Sequence, residues 1–137
     1  MSVPEGKRTK NNLEVFVKAQ DMALHTIKIL SNEKVFDPKI DKMLIDKIKI
    51  CAYDISAKAW SANKIKADTN TINRCARYSL QVEAIELCDE MLAYVGIAKR
   101  LYHVRYKKIH YWAEMIVGVR KLLQAWKESD VKRYGKP

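Results

Sequence analysis

Apolar residues return every three to four positions along nearly the whole chain, the spacing that places side chains on one face of an α-helix. Leu13, Phe16, Ala23, Ile27 and Leu30 trace the first stripe. The stretch SNEKVFDP ends it, with Asp37 placed to cap a second helix and Pro38 to fill its first position. That helix carries Ile40, Leu44, Ile48, Cys51, Ile55 and Ala59 on one stripe and reaches towards Ile65. KADTN is the next break, where Asp68, Thr69 or Asn70 can cap a third helix starting at Thr71. The segment AKRLYHVRY holds neither Gly nor Pro. Only the need to fold back puts a tight turn near Tyr102 to Val104, before a last helix from Arg105 to Glu128. Four helices of similar length with short connections predict an all-α protein, an antiparallel up-down-up-down four-helix bundle. The bundle would occupy residues 13–129, between a flexible basic arm at 1–12 and a basic tail at 130–137.

The wheel of the last helix gathers Ile109, Trp112, Ala113, Ile116, Val119 and Leu123 into one stripe with Trp126 at its edge, so Trp112 is expected in the core. Lys107, His110, Tyr111, Glu114, Gly118 and Lys121 fall on the other side. Lys107 and Tyr111, one turn apart, could neutralise a phosphate and stack a base, or sit in a protein interface. Met115, Val117 and Leu122 widen the apolar arc of this helix, and the third helix is likewise apolar on more than one side, with Leu80, Val82, Leu87 and Leu92 beside its core positions. The surplus predicts self-association.

Composition changes this picture little: 48% of the residues are hydrophobic and 31% charged, as in a folded globular domain. Cys51, Cys75 and Cys88 are an odd set with no CxxC pair, which predicts reduced thiols in a cytoplasmic protein. MSVPEGKRTKNN has no apolar stretch of signal-peptide type and no run is long enough to cross a membrane, so no membrane association is expected.

Charge changes it more. The net charge is +10, and residues 98–137 hold eleven bases against three acids while residues 13–97 hold twelve of each. A localised positive field predicts a polyanionic or acidic partner. The candidate contacts are Arg74 and Arg77 on the third helix, Lys99 and Arg100 at its end, and Arg105, Lys107, Lys108, Tyr111, Arg120 and Lys121 on the fourth. Lys99 to Lys108 stand out, because bases at a bundle end are less readily consumed by internal pairing. No groove-reading motif is present, so contact with RNA or DNA is expected to be independent of base sequence.

Catalytic chemistry finds little footing. No Glu-x-x-His pair supports a carboxylate-bridged metal site, His103 and His110 lie across a turn, and no Gly-rich loop precedes a helix. His25 is expected as a hydrogen-bonded boundary residue. Glu83, Glu86, Asp89 and Glu90 crowd the third helix and are expected to pair with basic helices across a subunit boundary or to form a solvated face. The expectation is a non-enzyme without metal or cofactor.

The segment AKRLYHVRYKKIHYWAEMIVGVRKLLQAWKES, with the opening LEVFVKAQDMALHTIKIL, resembles the accessory variability determinant proteins of diversity-generating retroelements. It is similar, more loosely, to the four-helix proteins encoded in intervening sequences of bacterial 23S ribosomal RNA genes. It departs from the first group at Arg120, Gln124 and Ala125, where small residues or Gly are common. The resemblance covers most of residues 13–129. It implies a homopentameric ring that binds the reverse transcriptase of the same element and engages its template RNA and complementary DNA. A protein-only adaptor that touches no nucleic acid is the competing expectation.

Overall fold

The computed structural model describes the backbone of residues 5–137 and the side chains of residues 14–137. Four helices account for nearly all of it: α1 (Glu5–Leu30), α2 (Pro38–Lys64), α3 (Thr71–Tyr102) and α4 (Tyr106–Tyr134). α1 packs on α2 and α4, and α3 packs on the same two helices, so the four surround one core as a four-helix bundle. Three interfaces pair residues in opposite chain order. Phe16 meets Trp126 while Thr26 meets Trp112; Lys58 meets Glu83 while Asp41 meets Tyr102; Gln81 meets Asp130 while Asp89 meets Arg120.

Each break has a local cause. The Asp37 side chain accepts from the Lys39 amide at 2.9 Å, with Pro38 in the first turn as expected. Asp41 interrupts α2 with extended backbone (φ −160°, ψ 90°), and its Oδ1 accepts from the Leu44 amide at 3.0 Å. It is in effect a second cap. The kink leaves backbone carbonyls of Asp37 and Asp41 within 3.2 and 3.1 Å of the Tyr102 hydroxyl, which donates to them and ties the start of α2 to the end of α3. Ile40, ahead of the kink, is exposed rather than part of the buried stripe. Asn70 caps α3 by accepting from the Asn73 amide. His103 closes α3 in the left-handed region (φ 53°), which turns the chain in three residues without a glycine.

The core takes in most of the predicted stripes, though Ile27 is only partly buried, and adds residues outside them, among them Ala19, Met22, Ala52, Ala62 and, from the connection between α1 and α2, Phe36. Trp112 is fully buried, and its indole N–H donates to the Thr26 hydroxyl at 2.9 Å, which in turn donates to the Met22 carbonyl. Burying an indole this deeply requires such a partner for its one polar atom.

Three boundaries differ from expectation. α1 opens at Glu5, so residues 5–12 of the expected arm are helix, and residues 1–4 lie outside the described residues. The Leu13 side chain also lies outside them. At the other end α4 continues to Tyr134, and Asp130, expected to open a tail, is 2% exposed. The helix is held there by a buried carboxylate, which no reading of the local pattern contains.

The apolar surplus is also redistributed. Leu80, Leu87, Leu92, Met115 and Leu122 are partly buried against the core. Exposed apolar side chains remain on all four helices, with Ile72, Ile97 and Leu101 on α3, Tyr106 and Tyr111 on α4, Val17 and Leu24 on α1, and the longest set on α2. Met43, Ile50, Tyr53, Ala57 and Trp60 recur at intervals of three, four and seven along α2, all exposed. α2 thus has a second apolar seam opposite its buried one.

Candidate polyanion-binding corner

The eleven cations of residues 98–137 do not form one patch. α4 rises about 1.5 Å per residue, so Lys132 and Lys136 lie roughly 40 Å from its first turn, and Lys121 about 20 Å from Lys108. Lys99, Arg100, Arg105, Lys107 and Lys108 alone remain together, at the corner where α3 turns into α4, and all five are exposed.

The fold adds to this corner what the sequence could not. Lys34, from the connection between α1 and α2, joins Val35, Tyr102, His103, Val104, Arg105, Lys107 and Lys108 around one concavity of about 570 Å³. Among the described residues none of these cations, nor Lys99 or Arg100, forms an ion pair. The Nζ of Lys99 stands 5.5 Å from the centroid of the Tyr106 ring. That ring lies nearly parallel to His110 (15°, centroids 5.5 Å apart) and is 67% exposed. Tyr111, also exposed, meets the His25 ring edge to face at 5.1 Å.

His25 registers the field. Burial, and then the charges of Lys28 and Lys108, hold its imidazole below the ordinary histidine range. Its Nε2 has no hydrogen-bond partner among the described residues, so the expected boundary histidine is held by ring contact rather than by a bond at that nitrogen.

Four candidates belong elsewhere. Arg74 and Arg77 are 3% and 4% exposed and face inward. Arg74 donates twice to the Gly135 carbonyl, at 3.1 and 2.6 Å. Arg77 is paired with Asp130, which also accepts from Gln81 at 2.9 Å; Arg77 further donates to the Ile65 carbonyl and lies over the Trp126 ring at 4.9 Å. Both arginines fasten the far end of the bundle from inside, away from solvent, with Arg74 Nη1 left without a partner among the described residues. Arg120 is bound to Asp89 through two hydrogen bonds, at 2.7 and 3.3 Å. Lys121 is exposed but remote from the corner.

The acids of α3 follow the same logic. Glu83 pairs with Lys58, Asp89 with Arg120, and Glu90 accepts from the Tyr94 hydroxyl. These three partners belong to the same chain, and Glu83, Glu86, Asp89 and Glu90 are all exposed, as on a solvated face. Sequence reasoning missed Lys34, Tyr106 and His110 as members of the corner. The aromatics were visible in RYKKIHYW, but nothing local brings the first interhelical connection beside them.

The thiols carry no reactive signature. Burial, reinforced by Glu90 and Asp54, pushes Cys51 up to about 11, and burial with Asp89 pushes Cys88 up to about 12. Cys75 is exposed. A maleimide reagent at neutral pH is therefore expected to add one label to the native protein, at Cys75, and three after denaturation, as counted by intact mass. Native labelling of Cys88 would mean that the core opens readily. Among the described residues no cluster of His, Cys, Asp or Glu could hold a metal ion, and no helix is long and apolar enough to cross a membrane.

Comparison with protein families, with curated proteins and with solved structures returns no match.

Proposed function

We propose that this protein is a non-enzymatic, basic scaffold that binds nucleic acid at the α3–α4 corner, acting as an accessory protein of a diversity-generating retroelement. In that role an up-down-up-down bundle assembles into a ring of five copies in the cytoplasm. The ring binds the element's reverse transcriptase and holds template RNA or complementary DNA during mutagenic copying. One observation carries the nucleic-acid reading: Lys34, Arg105, Lys107 and Lys108 line one concavity, Lys99 and Arg100 stand exposed at the end of α3 beside it, and among the described residues none of the six forms an ion pair. Leaving that much like charge together costs stability through self-repulsion, and an anionic partner relieves it. The retroelement assignment rests on the resemblance of residues 13–129 described above.

The exposed seam of α2 supports self-association, since apolar side chains at heptad-like spacing bury one another when a second helix docks. Native mass measurement is expected to give an oligomer. Ile50→Glu combined with Tyr53→Asp, both on the exposed seam, should reduce it to folded monomers with unchanged helix content by circular dichroism. A parent protein that is monomeric at micromolar concentration would remove the ring.

Binding to nucleic acid is tested by filter retention of RNA and DNA across a salt series. Each phosphate neutralised contributes about −0.9 to the log–log slope for duplex and about −0.7 for single strands. Absence of salt-dependent retention would replace this reading with the protein-only adaptor.

A further inference from the structure

Building on the reading of the corner as a nucleic-acid surface, we propose that its ligand is single-stranded nucleic acid, and that Tyr106 is the platform on which an unpaired base stacks. Tyr106 opens α4 between Arg105 and Lys107 and leaves two thirds of its surface in water. A tyrosine ring in that setting, at the end of a bundle rather than over its core, contributes little to folding.

Four neighbours shape it for a base. His110, one turn on, is stacked against it, with 15° between the planes and the centroids 5.5 Å apart, and so braces the ring from one side. Lys99 holds its ammonium over the same ring, so the platform combines a π-face with a cation. Arg105 and Lys107 flank it in the chain and line the basic concavity with Lys34 and Lys108, where the phosphates beside a stacked base would fall. A stacking face beside a cationic groove is the arrangement by which proteins hold single strands without reading sequence.

Duplexes fit this corner poorly, because their bases are stacked on each other and present no free face to Tyr106. Only the cations would then contribute. The proposal therefore separates into a charge component, shared by all nucleic acids, and a stacking component, available to unpaired bases alone.

The two components are distinguished by anisotropy titrations of labelled oligo(dT), oligo(U) and a duplex of equal length, each across a salt series, with the full-length protein. Tyr106→Ala is expected to weaken both single strands by roughly 5- to 150-fold for one stacked base, to leave the duplex unchanged and to preserve the salt slope. Tyr106→Phe should bind as the parent does, since the ring and not the hydroxyl carries the contact. The oligo(dT) and oligo(U) arms show whether the strand is DNA or RNA, and a preference for either leaves the proposal intact. Salt-dependent binding in which Tyr106→Ala changes nothing, or weakens duplex and single strands equally, overturns the stacking proposal while the basic corner stands. No salt-dependent binding of any of the three overturns both.

Discussion

Asp130→Ala is expected to destabilise the protein by about 3–5 kcal/mol, because it leaves the Arg77 guanidinium buried without its counter-ion. The pair is 5% and 3% exposed at its side chains, and Gln81 also donates to the same carboxylate. Water cannot take over the role of Asp130 without opening the contact of α3 with α4. A loss of this size corresponds to a fall in melting temperature of roughly 10–20 °C for a chain of this length, measurable by calorimetry or urea unfolding. Arg77→Met combined with Asp130→Leu should recover part of it, since removing both charges leaves no buried charge unpaired, while the buried Gln81 amide still loses its acceptor. By contrast Lys58→Ala, which breaks the exposed pair with Glu83, should cost below about 1 kcal/mol. If Asp130→Ala unfolds within 1 kcal/mol of the parent, this network does not hold the end of the bundle as described.

Lys107→Glu combined with Lys108→Glu is expected to lower affinity for any nucleic acid by at least about tenfold at physiological salt. It should also flatten the salt slope by about one for each lysine lost. Both side chains are exposed and unpaired, so the fold should be unaffected. The informative comparison is Lys132→Glu with Lys136→Glu, an identical change in net charge at the opposite end of α4. If binding depended only on overall charge, the two variants would fall together. A local corner predicts that the second retains near-parental affinity, and equal losses in both would show that the corner has no special part.

Much of the site was within reach of the sequence and some of it was not. Lys99, Arg100, Arg105, Lys107 and Lys108 are neighbours in the chain, and their position at a turn followed from where the helix had to reverse. Arg74 and Arg77 fall in register with the core stripe of α3 (Gln81, Ala84, Cys88, Met91, Val95), a signal the helical wheel carries. What it lacks is their partners, Gly135 and Asp130, 61 and 53 positions away, which let the two cations be buried there. Arg120 is lost to Asp89 in the same manner, 31 positions back. Whether a cation is available depends on what carboxylate or carbonyl the fold places beside it.

The sequence by itself determined the four helices, the cap at Asp37, a cap for α3 among Asp68, Thr69 and Asn70, the reversal at Tyr102 to Val104 and the burial of Trp112, because helix periodicity, capping and turns act over a few residues. Tertiary structure decided that the far side of α2 keeps Met43, Ile50, Tyr53 and Trp60 in water, that Lys34 completes the basic corner, and that one run of cations is divided between two ends of the bundle. The physical reason is that burial and charge pairing are settled between helices: a wheel gives the direction of a side chain, and only the neighbouring helix says whether water, an apolar group or an opposite charge waits there.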